Sequence, residues 1–380
     1  MSEPAHIIPS PLANAHRTAG VAMGVWFGCA LPDDFGDARA EQSYLRNSVA
    51  LVDKNYRAYL SLTGPDRVRY LNALLTNNIK ELSVHRGNIS LLLSPQGRIL
   101  AELETYALPE NLFCVSYAMI RERLIEILEK YIIMDDVTLE DRSAKFGTLA
   151  LEGPKAHACV AELTSEDLNK IVELECLEVE VRGGGLAIPC RIVKRSYDGV
   201  AGAEFIIGRE QLEAAWEMLK RAAVKHGGGP VGYNALSAQR LAQGVAWFGY
   251  DFGENQIPHE AGLETSHISY TKGCYVGQEI VERVRSRGQV NRRRVRLSFS
   301  GDNVPPGGTT LTVGGQNAGS VTRAAKSWFP PVILAMGYLR KEFQAAGTRV
   351  EWNGGSGTVD ELLQSKLKHP VEAFNRIEHQ

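Results

Sequence analysis

The chain has 380 residues, 44% of them hydrophobic and 23% charged, and a formal net charge of -2. A single hydrophobic core stops growing at roughly 250 residues, so two or three packed units are expected, with the composition of a globular protein. No apolar run approaches the roughly 20 residues that cross a bilayer, and the near-neutral balance argues against a surface given over wholly to nucleic acid.

The N-terminus, MSEPAHIIPSPLANAHRTAGVAMGV, lacks the basic start, apolar middle and small-residue cleavage site of a secretion signal, which predicts a cytoplasmic protein without membrane attachment. Residues 1–45 are read as a segment packed on the core of the domain that follows. The six cysteines stand at 29, 114, 159, 176, 190 and 274. None forms a C-x-x-C pair, so no resident metal site is predicted, and the first five are read as small buried hydrophobes.

From Leu60, LSLTGPDRVRYLNALL reads as strand, Gly-Pro turn and helix, with Pro65 at the first helical position, where its missing N–H costs nothing. The same grammar returns from Leu149 in LALEGPKAHACVAEL, with Pro154 in the matching place. Two related α+β subdomains within residues 46–290 account for the repetition, as does a common strand–turn–helix unit used twice. Between them, ISLLLSPQGRILAELETYAL reads as a hairpin turning at Ser94, Pro95 and Gly97, and NLFCVSY continues the sheet. Apolar residues at 120, 124, 127, 128 and 131 mark one face of a helix. A second amphipathic helix carries Leu212, Ala215, Trp216, Leu219 and Ala222 on one face and stops at the glycines from Gly227, and a third follows around NALSAQRLAQG. RGGGLAIP, near Gly184, has the glycines of a phosphate cradle but no helix after it and reads as a turn between strands. Beyond Arg294 the pattern becomes short strands between Gly and Pro clusters, which predicts a small β-barrel or sandwich over 291–365 and a loose polar tail over 366–380.

Phosphate-loop, H-E-x-x-H and G-x-S-x-G motifs are absent, which removes support for nucleotide hydrolysis, zinc proteolysis and serine-elbow chemistry. The run RVRSRGQVNRRRVR, Arg283 to Arg296, holds seven arginines and no acid. It reads either as a solvated loop and edge strand whose charges block aggregation or as a patch for an anion such as a polyglutamate tail or RNA. It lacks the aromatic residues for base stacking. In YTKGCYVGQE, Gly273 and Gly277 flank Cys274 and permit turns closed to other residues, so the thiol is expected to be displayed. Lys272 is expected to favour its thiolate form.

KGCYVGQE, comprising Lys272, Gly273, Cys274, Tyr275, Val276, Gly277, Gln278 and Glu279, resembles the hallmark of the YgfZ-type folate-binding proteins, and LTGPDRVRYLNALLTNNI and GYDFGENQIPHEAGLE fit the same family. The resemblance covers most of the chain. It implies an aminomethyltransferase-like α+β fold of two subdomains plus a C-terminal β-barrel, tetrahydrofolate as the bound cofactor, and a role in assembling or repairing iron–sulphur clusters. Cys274 would be the functional thiol, with Gln278 and Glu279 fixing its loop, and any cluster would be transient and shared with a client or assembly protein. Arg240 matches a helix arginine of the related glycine-cleavage T-protein and would pair with a folate carboxylate, alongside Tyr117 and Tyr197 as further folate contacts.

Two departures from the T-protein pattern bear on catalysis. Its V-N-A stretch and following aspartate appear here as VSYAMIRERL, with Ser116 and Arg123 at the matching places, so the carboxylate that handles the amine is missing. Its Y-T-G-E contact appears as YDGV from Tyr197, with Val200 in place of glutamate. The sequence therefore points first to a folate-binding accessory protein. A folate-dependent one-carbon (methyl or aminomethyl) transferase and an RNA-binding module are the alternatives.

Overall fold

The computed structural model describes residues 7–196, 200–288 and 290–364. Tyr197 and the expected tail over 366–380 lie outside the described residues. The fold is of the expected α+β class, with two α+β subdomains and a closed C-terminal β-barrel. By contact the chain divides into two compact units: Met1–Leu71, Ile79–Asn88 and Leu103–Leu236 form the first, and Asn72–Asn78, Ile89–Glu102 and Ser237–Gln380 the second.

In the first unit a six-stranded sheet runs in the order Cys176–Gly183, Leu186–Lys194, Gly202–Gly208, Phe146–Glu152, Ala50–Asp53, Gly229–Pro230. One face is covered by the helices Ala156–Thr164 and Leu212–Lys225. The predicted stripe Leu212, Ala215, Trp216, Leu219 and Ala222 is buried there against Leu149, Leu151, Val181, Ile192 and Phe205. Each large apolar side chain so enclosed contributes about 1.5–3 kcal/mol. A second sheet pairs Arg57–Thr63 with Leu112–Tyr117 on one side and Thr138–Asp141 on the other. The amphipathic helix expected beyond Ile120 forms as Arg121–Lys130 and buries Leu124 and Leu128.

The repeated Gly-Pro unit is structurally real, with one correction. The helices begin at Arg67 and Ala156, two residues beyond Pro65 and Pro154, so each proline sits in the turn ahead of its helix. Glycine is required in both turns. Gly64 has φ +96° and a Cβ there would stand 2.2 Å from the Asp136 carbonyl oxygen, while Gly153 has φ +128° and a Cβ would stand 2.5 Å from that of Ser48.

In the second unit the strands Arg292–Phe299, Pro331–Arg340, Gln316–Trp328, Thr310–Val313, Arg349–Trp352 and Gly355–Leu362 close into a barrel in that order. Val295, Leu297, Phe299, Leu311, Val321, Ile333 and Val359 fill it. Closure leaves no free strand edge, which removes the aggregation hazard that the arginine run was read as blocking.

Candidate functional site

The first unit holds a buried cluster of six ionisable groups. Lys54 and Arg57 lie at the end and start of neighbouring strand segments, and Glu104, Glu152, Arg195 and Glu204 come from four other places in the chain. Lys54 Nζ donates to Glu204 Oε1 at 2.8 Å and lies 2.6 Å from Glu152 Oε1. Arg57 Nη2 donates to both Glu204 oxygens, at 3.1 and 3.3 Å, and to Glu104 Oε1 at 3.2 Å. Arg195 Nε stands 3.4 Å from Glu104, whose other oxygen accepts from Tyr106 Oη at 2.6 Å. Burial alone would raise the Glu204 pKa, but Arg57 and then Lys54 outweigh it and hold the carboxylate well below its usual range. Burial also works against the charge on Arg57, and Glu204 restores it.

Aromatic rings line this cluster. Tyr56 and Tyr117 stack with centroids 5.7 Å apart, Phe27 stacks on Tyr56 at 4.2 Å, and Tyr233 meets both Phe27 and Tyr56 edge-on. The Arg57 guanidinium lies 5.2 Å from the Tyr56 ring centroid and 5.7 Å from that of Tyr117. Tyr117, named from the sequence, thus stands in this box. Ser116 is buried on the same strand, whereas Arg123, at the place matched to the missing aspartate, is exposed on its helix.

Sequence reasoning missed Lys54, Tyr56, Arg57, Glu104, Glu152, Arg195 and Glu204. A signal was present: Glu152 and Glu204 each stand in an otherwise largely apolar strand, LALEG and GAEFII, and Glu104 lies in ILAELETYA with a second glutamate. A charge at such a position is either solvated or paired inside, and here it is paired.

The second unit carries the KGCYVGQE loop. Cys274 is exposed, while Cys29, Cys114, Cys159, Cys176 and Cys190 are buried, and burial pushes their thiols up to about 12. Among the six, Cys274 is the thiol open to solvent for chemistry. Lys272 is placed differently from the sequence expectation. Its ammonium donates to the carbonyls of Asn72 at 2.5 Å, Asn77 at 3.0 Å and Leu75, so it anchors the loop to the last turn of the helix Arg67–Leu74 and the residues after it. Thr76 reinforces the anchor by donating to the His267 carbonyl and accepting, through its own carbonyl, the Ser269 N–H. Tyr275 is buried beside Lys272, whose Nζ stands 5.1 Å from its ring centroid.

Gly277 ends the loop at φ +83°. A Cβ there would stand 2.6 Å from the Ser94 carbonyl oxygen, so this glycine lets the loop close on the hairpin turn. Gln278 then opens the helix Gln278–Arg287, and its N–H donates to the Tyr275 carbonyl. Glu279 does not fix the loop as expected: it is exposed and pairs with Arg283 one turn along at 2.9 Å.

Arg240 is buried on the helix Tyr233–Gln243. Its guanidinium pairs with Asp251, donates to the Val245 carbonyl at 3.2 Å and lies 4.3 Å from the Trp247 ring centroid. Asp251 thus engages one arm of the guanidinium, Nη1, while Nε and Nη2 are buried without a hydrogen-bond partner.

The arginine run is largely neutralised. Arg283, Arg285, Arg292 and Arg293 pair with Glu279, Glu282, Glu260 and Glu264, and Arg296 with Asp360 and Glu361. Arg294 is wholly buried and donates to the carbonyls of Ala261 and Gly244. These acids lie outside the run in sequence, so a concentrated phosphate-binding surface is not formed by it.

His259 accompanies these groups, with Nε2 3.2 Å from Tyr270 Oη. Burial, and secondarily Arg293, lowers its pKa from 6.5 to about 4. The unfolded chain therefore binds a proton at His259 that the folded chain does not between about pH 6.5 and 4. Stability is expected to fall as pH drops through that window, by on the order of 2 kcal/mol from this group. Glu264, whose pKa burial raises, contributes with the opposite sign. The difference between wild-type and His259→Gln unfolding curves at pH 7 and pH 4.5 isolates the histidine, and parallel curves at both pH values would contradict the assignment.

The chain thus combines an α+β fold and a C-terminal barrel with a buried polar cluster lined by aromatic rings. The sequence matches the GCVT N-terminal domain over residues 12–268 and the glycine cleavage T-protein C-terminal barrel domain over residues 292–359. The chain belongs to the glycine-cleavage T-protein family. It is 27% identical over 337 residues to an aminomethyltransferase of Streptomyces avermitilis, covering 88% of this chain and 89% of that protein. It is 28% identical over 338 residues to that of Streptomyces coelicolor, covering 88% and 89%. The crystal structure of glycine cleavage system aminomethyltransferase T from Bartonella henselae superposes with a TM-score of 0.82 at 22% identity, over 95% of this chain and 98% of that one, a likeness of fold.

Proposed function

We propose that the protein is a folate-dependent one-carbon transferase, moving an aminomethyl or methyl group to or from tetrahydrofolate. The observation that carries this reading is the buried cluster centred on Glu204 beneath the aromatic box. Six ionisable groups taken out of water are a poor source of stability compared with apolar packing, and their retention in one place is accounted for by a ligand that needs them. The rings of Tyr56 and Tyr117 suit the flat ring of a folate. Glu204, held ionised by Arg57 and Lys54, supplies a fixed negative charge for a cation that develops during transfer. It stands in for the carboxylate missing at the Ser116 and Arg123 positions. Near full-length similarity to aminomethyltransferases supports the same reading. The test is anaerobic calorimetric titration with tetrahydrofolate of wild-type protein and Glu204→Gln. Saturable binding, weakened at least about tenfold in the variant, is expected from loss of a charged hydrogen-bonding partner. Equal binding by both would remove the cluster from the account.

A second reading, of a YgfZ-type accessory factor for iron–sulphur enzymes, draws on one observation: Cys274 is the exposed thiol, on a loop anchored at both ends. Among the described residues no group of three or more His, Cys, Asp or Glu side chains is gathered as metal ligands. One thiol cannot hold a cluster, so the cluster would be cargo shared with a partner. Full restoration of iron–sulphur enzyme activity by Cys274→Ala in a strain lacking the protein would rule this reading out.

A further inference from the structure

The strands Ala22–Trp26 and Cys29–Asp34 are joined by a two-residue turn, with Trp26 paired to Cys29 across it. The turn residues are Phe27, at φ 52°, and Gly28, at φ 72°. Hairpin turns with both central residues at positive φ favour Asn-Gly, because asparagine tolerates the left-handed region and a bulky aromatic residue does not. Phe27 is therefore a strained residue at a hairpin tip, and such strain persists where surrounding contacts hold it and gathers at ligand clamps.

The contacts that hold Phe27 are those of the aromatic box. Its ring is 2% exposed and stacks on Tyr56 at 4.2 Å and 23°. It lies 5.7 Å from Tyr117 at 35° and meets Tyr233 at 6.1 Å and 72°. Trp26 stacks in turn on the other ring of the corner, Tyr233, at 5.2 Å and 29°. A flat ring is thus received between a parallel wall and a perpendicular one, the two arrangements that aromatic pairs prefer. Beneath the parallel wall lies Arg57, whose Nε is buried and has no hydrogen-bond partner. A phenyl ring cannot supply an acceptor for it. A heteroaromatic ring with a nitrogen or carbonyl edge can. An ordinary core ring would account for the stacking, but not for the left-handed backbone.

We propose that Phe27 is a displaceable plug in a stacking box for a flat heteroaromatic ring, and that the hairpin tip sets how tightly a ring-bearing ligand engages the Arg57–Glu204 floor. Identifying that ring as the pterin of a folate rests on the function proposed above; the plug itself does not. A ligand that enters only when the ring has swung out binds with an affinity reduced by the fraction of molecules in that state. With about a tenth of molecules open, removing the ring raises affinity about tenfold.

The variants are Phe27→Asn, which suits the turn and removes the ring, and Phe27→Gly, which relieves the backbone whatever the side chain does. Each is melted and then titrated with pterin, with tetrahydrofolate and with indole. The expected result is that at least one variant melts close to the wild type and binds pterin about tenfold tighter than it. A variant that binds pterin about tenfold tighter than the wild type but shows no binding of tetrahydrofolate keeps the plug and discards the folate reading. The plug is overturned if every variant that folds binds pterin no tighter than the wild type. Failure of both variants to fold overturns it too, since a displaceable ring is not required for the fold.

Discussion

Replacing Glu204 by leucine is expected to cost about 3–5 kcal/mol of stability, the usual range when one partner of a buried ion pair is removed. Both oxygens of Glu204 serve Arg57, and one also serves Lys54. The substitution leaves three buried cations, Lys54, Arg57 and Arg195, facing the two acids Glu104 and Glu152. The double variant Lys54→Met, Glu204→Leu should recover part of the loss, because it removes a stranded charge along with its partner. The sign with pH follows from the direction of the shift. The folded pKa of Glu204 lies below its ordinary value of 4.5, so its contribution is complete above that value and is lost only as the medium becomes strongly acid. Denaturant unfolding of wild type and both variants at pH 7 measures these terms, and a loss under about 1 kcal/mol for Glu204→Leu would show that the cluster is solvated.

The second large effect is expected for Lys272→Met. Methionine keeps the apolar stem but leaves the carbonyls of Asn72, Leu75 and Asn77 without their shared donor. Unsatisfied buried acceptors cost roughly 1–3 kcal/mol each, partly recovered by relaxation, so a net loss of about 3 kcal/mol is expected. Lys272→Arg should not restore it, since a planar fork does not fit three acceptors arranged around a compact ammonium. The loosened loop should also change the rate at which a thiol reagent labels Cys274. Unchanged stability with slower labelling in Lys272→Met would instead return Lys272 to the role read from sequence, an ammonium that favours the thiolate.

Local chemistry was legible along the chain. The spacing of Leu212, Ala215, Trp216 and Leu219 declared a helix and its buried face, and the Gly-Pro turns at Gly64 and Gly153 declared two strand–turn–helix units, because both signals lie within a few residues. What the sequence hid depends on partners far away. Lys272 looks like a cation beside a thiol, and its acceptors lie about 200 positions earlier. Arg294 reads as one of seven surface charges, yet it is wholly buried, and the acids that neutralise its neighbours come from Glu260, Glu264 and Asp360. Glu152 and Glu204 were visible as charges in largely apolar strands, and Glu104 as one of two glutamates in its strand. Only the pairing of the strands brings them together around Lys54 and Arg57.

The measurement that tests transfer most directly is a single-turnover assay. Excess protein is mixed anaerobically with tetrahydrofolate and an aminomethyl donor, and folates are resolved by mass spectrometry with Glu204→Gln alongside. Formation of methylene-tetrahydrofolate by wild type, reduced at least about a hundredfold in the variant, is the predicted result for loss of a preorganised charge. Tetrahydrofolate recovered unchanged from wild-type protein that binds it would contradict the transferase account and leave the thiol of Cys274 as the functional group.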